Sequence, residues 1–139
     1  MRRRAEADDL RGGVTFSGYV SPVWPAIERA HAVLATSLGE SLGNAVIEAQ
    51  LCGRPVIASD VSGHDETVEH ESTGLLVPVS EPQALAAAIT RLVDCPELAA
   101  RLAAHGETEA RRRFSVSRYH GEVRTGIALL TKGPASFSA

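Results

Sequence analysis

The stretch Ala35–Asp60, ATSLGESLGNAVIEAQLCGRPVIASD, carries the pattern from which the architecture of this chain can be read. It begins at the end of a short apolar run, Ala32–Ala35, which reads as a buried strand. A polar loop containing Gly39 and Gly43 follows. Asn44–Cys52 then reads as a helix stopped by Gly53, and Pro55–Ala58 as another buried strand. Two glutamates frame the helix start. Glu40 lies in the loop, and Glu48 is the only charge in Ala45–Gly53, an otherwise apolar helix. Burying an unpaired carboxylate costs on the order of several kcal/mol, so such a residue usually has a partner or a ligand.

Working outward, Val14–Tyr19 alternates and predicts a strand. Pro22 and Pro25 open a short helix through Ala30, with Trp24 as a packing residue. On the other side, Ser59–Asp65 reads as a loop, Glu66–His70 as a helical turn and Gly74–Val77 as a fourth strand. Glu81–Pro82 opens a helix through Val93, Pro96 opens one to about His105 or beyond, and Ser115 caps a last one to about Leu130. Short apolar strands alternating with helices imply a mostly parallel sheet covered on both faces, an α/β domain. The expected organisation is a flexible lead-in at 1–12, one domain at 13–130 and a disordered tail at 131–139.

Composition narrows the function classes. With 44% hydrophobic and 22% charged residues the chain is globular rather than disordered. A net charge of -3 gives no global case for nucleic acid or for an anionic membrane. Arg2–Arg4 and Arg111–Arg113 are local basic runs, read as solvated surface, with contact to acidic lipid headgroups as the alternative. Cys52 and Cys95 match no metal or redox spacing, and a reduced, cytoplasmic compartment is expected. No apolar run approaches the roughly 18 residues that cross a bilayer, and the start lacks the apolar segment of a secretion signal.

Ligands of open α/β sheets bind outside the carboxyl ends of the strands, where helices begin. Ser37–Asn44 sits at such a place. The amides of Leu42, Gly43, Asn44 and Ala45 are the expected free donors of the first helical turn, and with the helix dipole they suit a phosphate. Glu48 suits a vicinal diol such as a ribose, and Glu40 suits sugar hydroxyls. Phosphate, diol and sugar together describe a nucleotide-sugar. Taken alone, a glutamate pair at this spacing is more often a surface acid plus a helix residue with local partners.

Five ordered blocks set that pair in a wider pattern: VTFSGYV, ERAHAVLATS, ESLGNAVIEAQLCGRPVIASDVSGHDETV, TGLLVPVSEPQALAAAITRLV and RRRFSVSRYHGEV. Together they resemble the nucleotide-binding C-terminal domain of retaining family-4 glycosyltransferases, the group-1 type with two Rossmann-like domains. The resemblance spans roughly residues 13–125. It departs from the pattern at His31 and Thr36, where Asp and Pro are usual, and at Ser62, where the first of two glycines is usual. It implies a Rossmann-like parallel sheet flanked by helices and transfer of a sugar from a nucleotide-diphospho-sugar, without a metal or other cofactor.

The resemblance also implies residue roles. Glu40 matches the first motif glutamate, which holds donor-sugar hydroxyls; it is the candidate catalytic residue in that sense, not as a nucleophile. Ser41, Leu42, Gly43 and Asn44 match the loop and helix start that face the donor, and Glu48 matches the glutamate that holds the ribose. Gly63 and Glu66 are further candidates, with no firm role for Glu66. His64 reads as a loop residue with local hydrogen bonds rather than a catalytic base.

Set against the family pattern, the chain is expected to lack the acceptor-binding N-terminal domain, the first two strands of the C-terminal domain and the basic residues that grip the diphosphate. Val14–Tyr19 would then pair directly with Ala32–Ala35, or sheet edges would recruit a separate acceptor-binding domain or a second copy. The isolated chain is expected to transfer sugar weakly or not at all. Membrane association is at most peripheral, at an inner face, and nucleic acid is not an expected partner. The alternatives are a noncatalytic nucleotide-binding fragment or subunit that needs a separate acceptor-binding partner, and a nicotinamide-dependent dehydrogenase. The latter is disfavoured because no G-x-G-x-x-G turn follows a first strand.

Overall fold

The computed structural model describes Leu10 and residues 12–131. The lead-in expected at 1–12 and the tail at 131–139 lie, apart from Leu10, Gly12 and Thr131, outside the described residues. The elements in chain order are α1 (Trp24–Glu28), β1 (Val33–Ala35), α2 (Asn44–Leu51), β2 (Val56–Ser59), β3 (Leu75–Val77), α3 (Pro82–Asp94), α4 (Pro96–Arg113) and α5 (Val116–Thr131).

The strands form one parallel sheet in the order β1-β2-β3. Val33 pairs with Val56, and Ile57 pairs with Leu75. All four β2 residues are buried, as a strand covered on both faces requires. Side chains alternate between the two faces. Val33, Ala35, Val56, Ala58 and Leu76 pack with Val46 and Ala49 of α2 and with Val68. Ile57, Leu75 and Val77 pack on the opposite face against Leu85, Ala88 and Leu92 of α3 and Leu98, Ala99 and Leu102 of α4. The i, i+3, i+4 spacing of those α3 residues gives the stripe that lies on the sheet.

Local chemistry sets the boundaries. Gly53 (φ 61°) ends α2 in the left-handed region, where its N–H bonds the Gln50 carbonyl and the Arg54 N–H bonds the Ala49 carbonyl. That pairing satisfies the last carbonyls of the helix. Pro82 and Pro96 stand in the first turns of α3 and α4, where a missing N–H costs nothing. The Ser115 hydroxyl accepts from the Arg118 N–H at 3.3 Å and caps α5.

Three expectations are corrected. Val14–Tyr19 forms no strand, and β1 pairs with β2 alone, so the direct pairing of these two segments does not occur. An alternating segment becomes a strand only when a ladder takes up its backbone groups. Val14 and Tyr19 are 44% and 95% exposed. Trp24 is 41% exposed in a helix with no buried residue, so it is not a core packing residue. The helical turn expected at Glu66–His70 lies earlier, where the Thr67 and Val68 amides bond the His64 carbonyl. No helix among the described residues is long and apolar enough to cross a membrane.

Candidate functional site

The carboxyl ends of β1 and β2 carry two loops, 36–43 and 60–67, which lean on each other. The first delivers Glu40 and then turns into α2 at Gly43. Gly43 adopts φ 70°, and a Cβ there would fall 2.8 Å from the His64 ring. Glycine is required on both counts, backbone and space. Val46 and Ile47 donate to the Gly43 carbonyl. The amides of Leu42, Gly43, Asn44 and Ala45 make no hydrogen bond among the described residues, and no side chain caps the helix. These unsatisfied N–H groups and the positive helix end form a place for an anion.

The carboxylates differ in their support. Glu40 is exposed, and its oxygens accept from the Ser37 hydroxyl at 3.4 Å and the Ser41 amide at 3.3 Å. Glu48, one turn into α2, is half-buried, and its carboxylate makes no hydrogen bond or ion pair among the described residues. Leu42 is 39% exposed, and Ser41 and Asn44 are also exposed.

Gly63 (φ 90°) lies directly on the Glu40–Ser41 peptide: a Cβ at 63 would sit 2.5 Å from the Glu40 carbonyl oxygen. The Asp65 carboxylate accepts from the Gly63 amide at 3.0 Å and tightens this turn. Glu66 is exposed; its carbonyl accepts from Arg113 at 2.5 Å, so its backbone ties the turn to the end of α4. The structure thus brings Gly63 against Glu40 and Ser41, whereas Glu66 has its recorded contact elsewhere.

Sequence reading undervalued three residues beneath this surface. His64 is 1% exposed, Thr67 3% and Ser59 4%. The Thr67 hydroxyl bonds the Gly63 and His64 carbonyls at 3.1 Å each. Buried polar side chains need such partners. His64 does make the local hydrogen bond expected of it, to the Ser59 carbonyl at 2.9 Å. Its burial was hidden because SGHDET is a polar string with no apolar period. The available signal was the position of Ser59 at the carboxyl end of a buried strand.

A cavity of about 210 Å³ opens beside the loop, between Thr36, Leu38 and Ser59 and the Val77–Leu85 turn. Neither Glu40 nor Glu48 lines it, so it is a neighbour of the carboxylate site rather than its centre. Burial pushes the Cys52 thiol up from its ordinary value, with help from the Glu28 charge. Such a thiol is a poor nucleophile.

Comparison with known proteins places this geometry. The chain is 39% identical over 106 residues to the lipopolysaccharide core biosynthesis glycosyltransferase LpsD of Rhizobium meliloti, covering 76% of this chain and 31% of that protein. It is 33% identical over 113 residues to the alpha-D-kanosaminyltransferase of Streptomyces kanamyceticus, covering 80% and 29%. The chain therefore spans about a third of the length of these curated relatives. Among solved structures it resembles Anabaena HepE in complex with UDP, with a TM-score of 0.88 and 27% identity over 91% of this chain and 35% of that one. It also resembles the sucrose-phosphate synthase of Thermosynechococcus elongatus, with a TM-score of 0.87 and 31% identity over 96% and 34%. Residues 1–95 match the model of the glycosyl transferases group 1, and the chain belongs to that family.

Proposed function

We propose that this chain is the donor-binding part of a glycosyltransferase. It takes a nucleotide-diphospho-sugar and serves transfer, with retention of anomeric configuration, to a glycolipid, polysaccharide or other acceptor. One observation carries the reading: unpaired amides at the start of α2 lie between an exposed carboxylate, Glu40, and a half-buried one without a partner, Glu48. HepE, a structural neighbour, has been solved with UDP and with UDP-glucose.

In this reading Glu48 accepts from the ribose hydroxyls, and the amides of Leu42–Ala45 face the diphosphate. Glu40 accepts from hydroxyls of the donor sugar, with Ser41 beside it and Gly63 beneath. As the bond between anomeric carbon and phosphate oxygen breaks, its electron pair goes to the diphosphate. Preorganised amides at a positive helix end stabilise that charge where it develops. No metal or other cofactor is required for this step.

A noncatalytic role, with a separate acceptor-binding partner or a second copy completing the site, is favoured by one feature. Among the described residues the outer edge of β1 has no ladder partner, and Leu34 on that strand is 46% exposed. Such an edge invites pairing. Calorimetric titration of the purified chain with UDP and UDP-glucose tests the donor reading. Binding that Glu48→Ala weakens at least tenfold is expected; equal affinity of the two proteins would sink it. Adding a separately made N-terminal half then distinguishes the roles, since transfer should appear only if the chain is catalytic.

A further inference from the structure

His64 is 1% exposed, and a buried imidazole needs partners for its polar atoms. Its Nδ1 stands 2.9 Å from the Ser59 carbonyl oxygen. A carbonyl only accepts, so Nδ1 carries the proton and donates. The Ser59 hydroxyl in turn donates to the Ser37 carbonyl at 2.5 Å, at the start of the Glu40 loop. The opposite edge of the ring, Cδ2–Nε2, fills the space beneath Gly43 at the end of that loop. Nε2 makes no hydrogen bond among the described residues. Between these two ends, the Ser37 hydroxyl reaches the Glu40 carboxylate at 3.4 Å, and Gly63, the residue before His64, supports the Glu40–Ser41 peptide.

We propose that His64 is the positioning residue of this loop. Through Ser59 it fixes the Ser37 end, and through its ring edge it fixes the Gly43 end. Glu40 and the amides of Leu42–Ala45 are thereby held in one arrangement before a ligand arrives. Preorganisation of this kind removes an ordering cost from binding. The functional weight of the inference rests on the donor reading above; the positioning itself does not. His64 contacts no substrate in this scheme and takes no proton from one.

The two ring nitrogens make separable demands. Asparagine places an N–H donor where Nδ1 stands, and glutamine places one where Nε2 stands. The test compares backbone amide chemical shifts of Ser41–Ala45 in the full chain and in His64→Asn, His64→Gln and His64→Ala, with UDP-glucose titrations alongside. His64→Gln and His64→Ala are expected to displace the Ser41–Ala45 resonances and weaken UDP-glucose at least tenfold. His64→Asn, which keeps the donor but not the ring edge, is expected to bring Ser41 and Leu42 back toward their wild-type shifts and recover part of the affinity, while Gly43–Ala45 stay displaced. Leu102→Ala, which loosens the core elsewhere, should leave these resonances in place while lowering the melting temperature, so a loss of stability alone does not imitate the effect. The inference is overturned if His64→Gln matches the wild type while His64→Asn does not, or if His64→Ala leaves the resonances unmoved. Should His64→Ala fail to fold, the Asn and Gln variants decide. A wild-type chain that does not bind UDP-glucose would defeat the donor reading, and the resonances would still decide the positioning.

Discussion

Both faces of the sheet carry an apolar layer, but only the α2 side also carries the two site loops at its end. On the α2 side the two site loops meet through single atoms: Gly63 on the Glu40 carbonyl, Gly43 on the His64 ring, Ser59 on the Ser37 carbonyl. On the α3–α4 side the sheet is covered by a broad apolar layer built on Ile57, Leu75, Leu92 and Leu102. Its outer surface carries exposed Arg–Glu pairs such as Arg111–Glu107 and Arg112–Glu109. Apolar burial is non-directional and tolerates adjustment, whereas close backbone contacts admit one geometry. The molecule therefore keeps an apolar layer on each face and places directional chemistry at the loop end of the α2 side.

Four substitutions test that division. Leu102, fully buried, should cost about 2–5 kcal/mol of stability when truncated to alanine. Denaturant unfolding should show this, while the folded fraction keeps its UDP affinity. A loss of affinity in proportion to stability would mean that the two sides are one unit.

Gly63→Ala comes next. A side chain at φ 90° costs about 1–2 kcal/mol from the backbone alone, before the 2.5 Å approach to the Glu40 carbonyl is relieved. Here stability and UDP affinity should fall together, the affinity by at least tenfold. Retained affinity would show that the Glu40 peptide does not need its glycine bed.

Glu48→Gln should separate binding from folding. Its carboxylate has no partner among the described residues, so thermal stability should move by less than about 0.5 kcal/mol. UDP affinity should fall about tenfold, or roughly 1.4 kcal/mol. A large loss of stability would reveal a structural role for that charge.

The smallest effect is expected at Arg91. It grips Glu71 with two hydrogen bonds, at 2.7 and 3.1 Å, and holds that carboxyl below its ordinary value. Both side chains are about half exposed, so Arg91→Ala should lower stability only slightly. A lowered folded-state value means that the pair stabilises above the ordinary carboxylate range. The contribution is then lost as pH falls through the lowered value. Melting temperatures of wild type and variant should accordingly converge in acid. A gap that persists below that range would assign the effect to packing of the arginine stem.

Much of the fold was legible because its signals are local. Apolar runs at Val33–Ala35, Val56–Ser59 and Leu75–Val77, with proline openings for α3 and α4, survive into the structure with shifts of a residue or two at the ends. Val14–Tyr19 misled because alternation states what a segment would bury, not whether a ladder is there to receive it. At the site, the helix start at Asn44 and its free first-turn amides were readable, whereas the left-handed turn at Gly43 came from the structure. The bed beneath them was not. Contacts such as Gly63 on Glu40 join residues far apart in the chain, and no periodicity announces them.

By itself, the sequence determined the alternation of short strands and helices, the helix start after Gly43 and the two carboxylates on either side of it. Propensity, turn chemistry and apolar period act over a few residues, so they can be read in line. Three-dimensional packing alone settles that His64, Ser59 and Thr67 lie buried beneath the loop, that Gly63 carries the Glu40 peptide and that β1 keeps an edge unpaired among the described residues. Those outcomes depend on which backbone atoms the packed sheet brings within van der Waals reach, a property of the whole assembly of elements rather than of any one of them.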